Sequence, residues 1–457
     1  MDNAAGRVFL FLQGPHGPFF RQLSAQLAAA GARVRRIAFN PGDEAEWAGT
    51  GPLDRYLEPP GAYPDWLAHQ LTIHRVTDIV LYGDSRPEHA RAIGAARPRG
   101  VLCHCLEEGY LRPHRVTYER WGNNGNSPLH GIPLAGMAAA LGRAAPPPEG
   151  PHDGWGAHRP HLWHSALYHA RLLLPSRRYG RHRSRRDLTL WRELGHYLRR
   201  LAGLPLRRVL QGLQARRLLA SGRRYHLVLL QLSFDASMQV HSDYRNSAQF
   251  VDDCIDAFAR GASAEDCLVF KSHPFEDGRE RLGRVIAGAA ERLGVDERVL
   301  FLDGGPSLTS LLDGACSAVT VNSTAAQQAL WRGLPVAALG RAVYARPGLV
   351  SSQALDSFFA DPRRPDQQAY WQFRQFLAET SQFVGSFYSR PGIAALLEAL
   401  PAAMLAPVDP YDRVLAAAPA PEPVAAPLPA PVAQLAASRP PAPAEMREVP
   451  QPHRVAV

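Results

Sequence analysis

Long uncharged apolar runs are missing from this chain. Nowhere do about 18 apolar residues follow one another, so no transmembrane helix is expected. The opening residues Met1-Asp2-Asn3-Ala4-Ala5-Gly6-Arg7, followed by an apolar run of strand character, do not have the layout of a signal peptide. Cysteine is scarce: Cys103, Cys105, Cys254, Cys267 and Cys316 are too few and too scattered for a disulfide framework. Four of the five lie in or beside apolar runs, as reduced thiols in the cytosol do. Cys103-His104-Cys105 has no second ligand pair at zinc spacing, so no metal is expected. The GxGxxG spacing is absent, which disfavours dinucleotide binding. Histidines 152, 158, 161, 164 and 169 show no consistent ligand spacing and are read as non-catalytic.

Positive charge, by contrast, is concentrated in one place. The formal net charge is +9, yet residues 171–224 alone hold 16 Arg against two acids, Asp187 and Glu193. The rest of the chain is therefore slightly acidic. A local basic block points to an anionic partner: a phospholipid surface, a nucleic acid or an acidic polymer. Its apolar residues Leu206, Val209, Leu210, Leu213 and Leu218 recur at helical spacing, opposite Arg207, Arg208, Arg216 and Arg217.

On either side of that block the chain alternates strand, polar end and helix, the rhythm of a parallel sheet with right-handed crossovers. In the first half, Val8 to Leu12 ends at Gln13-Gly14-Pro15-His16-Gly17-Pro18, Ile79 to Tyr82 ends at Gly83-Asp84-Ser85-Arg86, and Val101 to Leu106 ends at Glu107-Glu108-Gly109. In the second half, Leu227 to Gln231 leads to Asp235, Cys267 to Phe270 stops at Lys271-Ser272-His273-Pro274, and Ala318 to Val321 stops at Asn322-Ser323-Thr324 before a helical stretch, Ala326 to Trp331. The expected fold is α/β and GT-B-like: two Rossmann-like domains facing across a cleft, with a basic helical insert. The expected boundaries are 1–140 for the first domain, 141–222 for linker and insert, and 223–365 for the second domain. Residues 366–401 form C-terminal helices able to cross back, and 402–457 a disordered Pro/Ala-rich tail.

Ligands of open α/β sheets bind beyond the carboxyl ends of the strands. The ends at Lys271, His273, Pro274 and at Asn322, Ser323, Thr324 read as a nucleotide-phosphate cradle, a Ser-Thr helix opening supplying free backbone N–H groups. Glycines 14 and 17 would let backbone approach a ligand closely. Glu107 and Glu108 are adjacent carboxylates on a loop, where one can face the cleft as a general acid or base. Asp235 is the candidate carboxylate on the opposite side.

Several phrases together resemble a known family: Phe-Leu-Gln-Gly-Pro-His-Gly-Pro-Phe-Phe at 11–20, Glu-Glu-Gly-Tyr-Leu-Arg-Pro at 107–113, Lys-Ser-His-Pro at 271–274, Asn-Ser-Thr-Ala at 322–325, Gly-Leu-Pro-Val at 333–336 and Gly-Arg-Ala-Val-Tyr at 340–344. They resemble the bacterial capsule polysaccharide synthesis proteins, of the KpsS or LipB type and related to KpsC. The similarity covers about 1–135 and 225–395. The resemblance implies a retaining β-Kdo transferase that needs no metal or other cofactor. It would use CMP-Kdo as donor and a lysophosphatidylglycerol-type lipid as acceptor, starting the capsule linker. It implies Asp235 as nucleophile, Glu107 as acid or base, and His273, Ser323 and Thr324 on the donor-nucleotide side, with Lys271, Pro274 and Asn322 beside them. Glu108 stands where related chains often carry Asp, which leaves the division of labour between Glu107 and Glu108 open. Gln13, His16, Asp84, Arg86 and Arg112 fall to the acceptor side.

With a lipid acceptor, the basic block gains a role at the inner face of the bacterial inner membrane, where each Lys or Arg near an anionic leaflet contributes about 1 kcal/mol. The expected setting is cytoplasmic and peripheral, alongside other capsule synthesis and export proteins. The alternative is a non-catalytic capsule assembly or export factor. A nucleic-acid partner is not expected, because no aromatic-interleaved basic sheet or recognition-helix pattern appears.

Overall fold

The computed structural model describes residues 4–142, 158–173, 179, 195, 203, 209–233, 235–274, 276, 278–304 and 306–416. Most of the Arg-rich block and the stretch 417–457 lie outside the described residues.

Each apolar run foreseen as a strand is one. β1 (Val8–Phe11) is wholly buried, and the helix Phe19–Ala29 turns Phe19, Phe20, Leu23 and Leu27 onto the sheet. Gly31, at φ +101°, takes the left-handed turn that leads into β2 (Arg33–Ala38). β3 (Leu53–Arg55), β4 (Asp78–Tyr82), β5 (Leu102–Glu108) and β6 (Arg115–Arg120) follow. The second half holds β7 (Tyr225–Leu229), β8 (Cys267–Lys271), β9 (Val299–Leu302), β10 (Ser317–Thr320) and β11 (Val336–Ala338), and the chain then forms β12 (Gln382–Val384).

Two sheets result. The first runs β12-β6-β5-β4-β1-β2-β3, parallel from β5 to β3 and antiparallel where β6 meets β5 and β12. The second runs β11-β10-β7-β8-β9 and is parallel throughout. Both have the same winding: the first strand of each half, β1 or β7, lies between its successor and a strand added later, β4 or β10. Crossovers therefore leave in opposite directions at β1/β4 and at β7/β10, and each pair opens a crevice at its carboxyl ends. The helices cover both faces of each sheet with separate apolar clusters. One of these, around Leu227, Leu229 and Val269, also takes in Tyr110, Leu111, Leu129 and Met137 from the first half. The two sheets are thus cemented within a single compact unit, Met1–Pro419.

The chain crosses back after β11. β12 adds to the edge of the first sheet, pairing Gln382 with Thr117, and the helix Arg390–Leu405 packs Ile393, Leu396 and Leu400 against Phe19, Leu23 and Leu27.

Two expectations need correction. The disordered tail does not begin at 402: the helix continues to Leu405, and a further helix spans Pro410–Ala416. Tyr411 is buried there and stacks on Phe376 with ring centroids 5.8 Å apart. The Ala/Pro composition concealed these anchors, Met404 and Tyr411. Nor is the start of the 141–222 segment linker throughout, since His158–Leu173 is a helix docked on the first half. In the helix within 209–220, the buried side is Ala215 with Leu218 packed beside the core, while Val209, Leu210 and Leu213 are exposed. Of the expected stripe Leu206, Val209, Leu210, Leu213 and Leu218, Leu206 lies outside the described residues, Leu218 turns to the core, and the other three face outward.

Among the described residues no single helix is long and apolar enough to cross a membrane. A bent pair, Arg390–Leu405 with Pro410–Ala416, has the length and composition, but its apolar side chains belong to the cores described above.

Candidate active site

Strand β5 delivers Glu107 and Glu108 to the carboxyl edge of the first sheet. Glu107 is partly buried, and the Glu108 backbone N–H donates to its Oε1 at 3.0 Å. Burial is the main influence on its pKa and raises it. The Glu108 amide pulls it down, the charges of Glu108 and Asp235 push it up, and Arg112 opposes them. The outcome is a carboxyl titrating at about 7 instead of 4.5. Gly83 makes room for it: a Cβ there would lie 3.0 Å from Glu107 Oε2, and the residue sits at φ +70°. Neither feature was visible as a signal in the sequence. On the far side of Glu108, the Tyr82 hydroxyl lies 3.4 Å from Oε1, and Tyr388 is close enough to sense both carboxylates.

From the second sheet, Asp235 is exposed on the segment after β7, its backbone carbonyl accepting the N–H groups of Met238 and Gln239 at 3.0 Å. It caps the short helix Ala236–Val240 by its main chain while its charge acts on Glu107 and on His273. His273, after β8, is partly buried. Burial lowers its pKa below the usual 6.5, Asp235 opposes and Arg112 adds to the lowering. At neutral pH it is therefore a neutral, hydrogen-bonding imidazole. Glu107, Asp235, His273 and Arg112 thus form one electrostatic cluster drawn from both sheets.

The remaining residues expected on the donor side divide. Lys271 Nζ donates to the Gly304 carbonyl at 2.8 Å, and Ser272 Oγ to Asp303 at 2.9 Å, which fixes the loop after β8. Pro274 is exposed. Asn322 is buried in a reciprocal pair with Gln231: the Gln231 amide donates to Asn322 Oδ1 at 2.8 Å and accepts the Asn322 N–H at 2.9 Å. It ties the two strand ends of the β7/β10 crevice together. Ser323 Oγ accepts the Ala325 N–H at 3.2 Å. The helix Ala326–Trp331 has the bounds foreseen, with Ala325 as its cap and no side-chain cap bond. With six residues its dipole is small. Thr324 lines a small cavity with Asn322, Tyr110, Asn124 and Tyr344.

The residues assigned to the acceptor side are placed mainly in supporting roles. Asp84 is buried, its carboxylate taking hydrogen bonds from Ser85 Oγ at 2.6 Å, the Asn123 N–H at 2.9 Å and Asn126 Nδ2 at 3.0 Å. Burial raises its pKa, but these donors and His241 outweigh it and hold the group below 3.8. Its oxygens are engaged within the fold, not offered to a ligand. Gln13 Nε2 reaches Asp43 at 3.2 Å, Arg86 reaches Gln13 Oε1 at 3.4 Å, and His16 stacks near Tyr168 with centroids 4.1 Å apart. The glycines of that loop serve packing: a Cβ on Gly14 would meet Phe20 at 2.6 Å and one on Gly17 would meet His164 at 3.0 Å. Arg112 Nε donates to the Gly109 carbonyl at 3.3 Å and leaves its charge near Glu107 and His273.

One compositional signal was overlooked. Of the 51 basic Lys and Arg residues, Lys271 is the sole lysine. A chain that otherwise uses arginine everywhere keeps an ammonium at this strand end, where a compact point charge differs most from a planar guanidinium.

The geometry agrees with what sequence comparison finds. A family model described as capsule polysaccharide biosynthesis protein matches residues 77–388. The chain is 30% identical over 390 residues to the Escherichia coli capsule polysaccharide export protein KpsS, covering 84% of this chain and 97% of that relative. It is 29% identical over 392 residues to the capsule polysaccharide modification protein LipB of Neisseria meningitidis serogroup B, covering 83% and 91%. Among solved structures, the Thermosulfurimonas dismutans KpsC beta Kdo 2,7 transferase is similar at a TM-score of 0.41 and 14% identity, over 86% of this chain and 99% of that one, a likeness too loose to bear on chemistry. The matched region contains every member of the Glu107, Asp235 and His273 cluster, and the chain belongs to the capsule polysaccharide biosynthesis protein family.

Proposed function

We propose that this protein is a retaining glycosyltransferase of GT-B-like architecture that moves Kdo from CMP-Kdo to a lysophosphatidylglycerol-type lipid acceptor, initiating a capsule linker. The observation that carries the reading is the facing of Glu107 and Asp235 from different sheets, one proton-holding near neutrality and the other exposed to the cleft. Asp235 attacks the anomeric carbon, and the bond from that carbon to the phosphate oxygen breaks, its electron pair leaving with CMP. The acceptor hydroxyl oxygen then attacks the same carbon, its proton passes to the Glu107 carboxylate, and the bond to Asp235 breaks. CMP is a good leaving group without protonation. On its side the loops need only hydrogen bonds and positive charge, which Lys271, His273, Thr324 and Arg112 supply. Glu108 stands by as the second carboxylate, and no metal or further cofactor enters any step.

The test is direct. Purified protein incubated with CMP-Kdo and lysophosphatidylglycerol should yield a lipid heavier by one Kdo, and Asp235→Ala should abolish it without loss of folding. No added Kdo with the unaltered protein would overturn the reading. It would leave the alternative, a non-catalytic capsule assembly or export factor; the Escherichia coli relative is named an export protein.

A further inference from the structure

The helix His158–Leu173 is turned inside out. Its protein-facing side is polar and aromatic. His161 lies against Tyr388 with ring centroids 4.4 Å apart, His164 packs on Gly17, and the Tyr168 hydroxyl donates to Asp43 at 3.0 Å. Its outward side is apolar. Leu162 is 52% exposed, Trp163 68% and Leu167 39%, and Ala166 and Ala170 complete the same face at four-residue spacing. A helix that turns its Leu and Trp away from the protein is awaiting another apolar phase.

Charge selects that phase. The helix runs at Arg171 into the block of 16 Arg against two acids. At the block's far end the helical residues 209–220 repeat the combination, with Val209 61%, Leu210 52% and Leu213 48% exposed and Arg216 and Arg217 exposed on the following turn. A nucleic acid would engage the arginines and leave Leu162, Trp163 and Leu167 in water. An apolar protein surface would bury the leucines and strand the arginines. A bilayer with anionic headgroups satisfies both, and Trp is at home in its interface.

We propose that the helix His158–Leu173 is an interfacial anchor that lays Leu162, Trp163 and Leu167 into an anionic phospholipid surface. Its opposite side is fastened to the active-site wall at Tyr388, which senses Glu107 and Glu108. The anchor would therefore hold the carboxylates at headgroup level, where a lipid acceptor presents its hydroxyl. This last step rests on the transferase reading; the membrane contact itself does not.

Cosedimentation of the full chain with phosphatidylglycerol-containing vesicles, in the absence of CMP-Kdo, tests the contact. The unaltered protein should bind, and should bind pure phosphatidylcholine vesicles much more weakly. The triple variant Leu162→Gln, Trp163→Gln, Leu167→Gln should lose at least about tenfold in partitioning, since three large side chains no longer leave water. It should keep its melting temperature, because the three face away from the core. Unaltered binding by the variant, no binding by the parent, or a parent oligomer that the substitutions turn into a monomer would each overturn the proposal. Kdo transfer to acceptor dispersed in detergent is scored separately, so a failed anchor and a failed transferase are told apart.

Discussion

The Ser85 hydroxyl lies 2.8 Å from His241 Nε2, joining the loop after β4 to the segment after β7 across the cleft. Asp84 stands 3.8 Å from the same nitrogen, and the His241 carbonyl accepts the Arg341 N–H at 2.7 Å. Although Ser, His and Asp meet here, Ser85 and Asp84 share one ring nitrogen, and the group is a latch between sheets. A triad would place them on opposite nitrogens. His241→Ala should lower stability by about 1–3 kcal/mol, the cost of stranding buried polar partners. Urea unfolding measures it, and transfer should fall too because both cleft walls are positioned by the latch.

Gly83→Ala should harm activity more than folding. The substituted residue would hold φ +70°, a strain of about 1 kcal/mol for a non-glycine residue, and its Cβ would press on Glu107 Oε2. The expected result is a modest drop in melting temperature with a much larger loss in kcat; equal retention of both would show that the carboxylate has slack.

Glu107→Gln should remove activity and add stability at neutral and alkaline pH. A carboxyl whose folded pKa is about 7 against an ordinary 4.5 keeps its proton longer in the folded chain. Stability therefore declines as pH rises through that window and levels off above it. The glutamine variant escapes that decline, so its advantage over the parent in urea midpoint should be small near pH 5 and full near pH 8. In the parent, transfer that uses Glu107 as a base should rise through about pH 7. A stability difference that does not change with pH would contradict the assignment.

Lys271 allows a labelling experiment that few proteins permit. An amine-acylating reagent has two targets, this side chain and the α-amino group, because no other lysine exists. CMP should slow acylation at Lys271 and leave the α-amino group untouched. Lys271→Arg should reduce transfer about tenfold or more, because a guanidinium fork does not reproduce the ammonium that donates to the Gly304 carbonyl. Equal acylation with and without CMP would remove Lys271 from the donor side.

How much of this was legible in the sequence differs element by element. Strand ends were legible because buried parallel strands read as apolar runs and the polar residues that close them cannot be buried. The helix Ala326–Trp331 was legible for a similar reason. The winding that sets Glu107 against Asp235 is not local, and only the paired sheets show it. Asp84 looked like a ligand-binding carboxylate because its partners, Asn123, Asn126 and His241, are distant in sequence. The helix His158–Leu173 escaped notice because periodicity assumes that apolar faces turn inward, and this one turns outward. The residues around Tyr411 were hidden by alanine and proline, though the buried tyrosine ties the helix Pro410–Ala416 to the fold, its hydroxyl donating to Glu119 at 2.5 Å.

The return of β12 to the first sheet has a consequence for biogenesis. The strand that covers the β6 edge, and the helix that seals Phe19 and Leu23, lie more than 250 residues beyond the strand they complete. During synthesis the leading half emerges with an open edge and an uncovered apolar face, and it stays so until the second sheet has been made. Vectorial folding is thereby deferred: the halves cannot mature in turn, and a nascent chain stalled before residue 380 should depend on a chaperone to stay in solution.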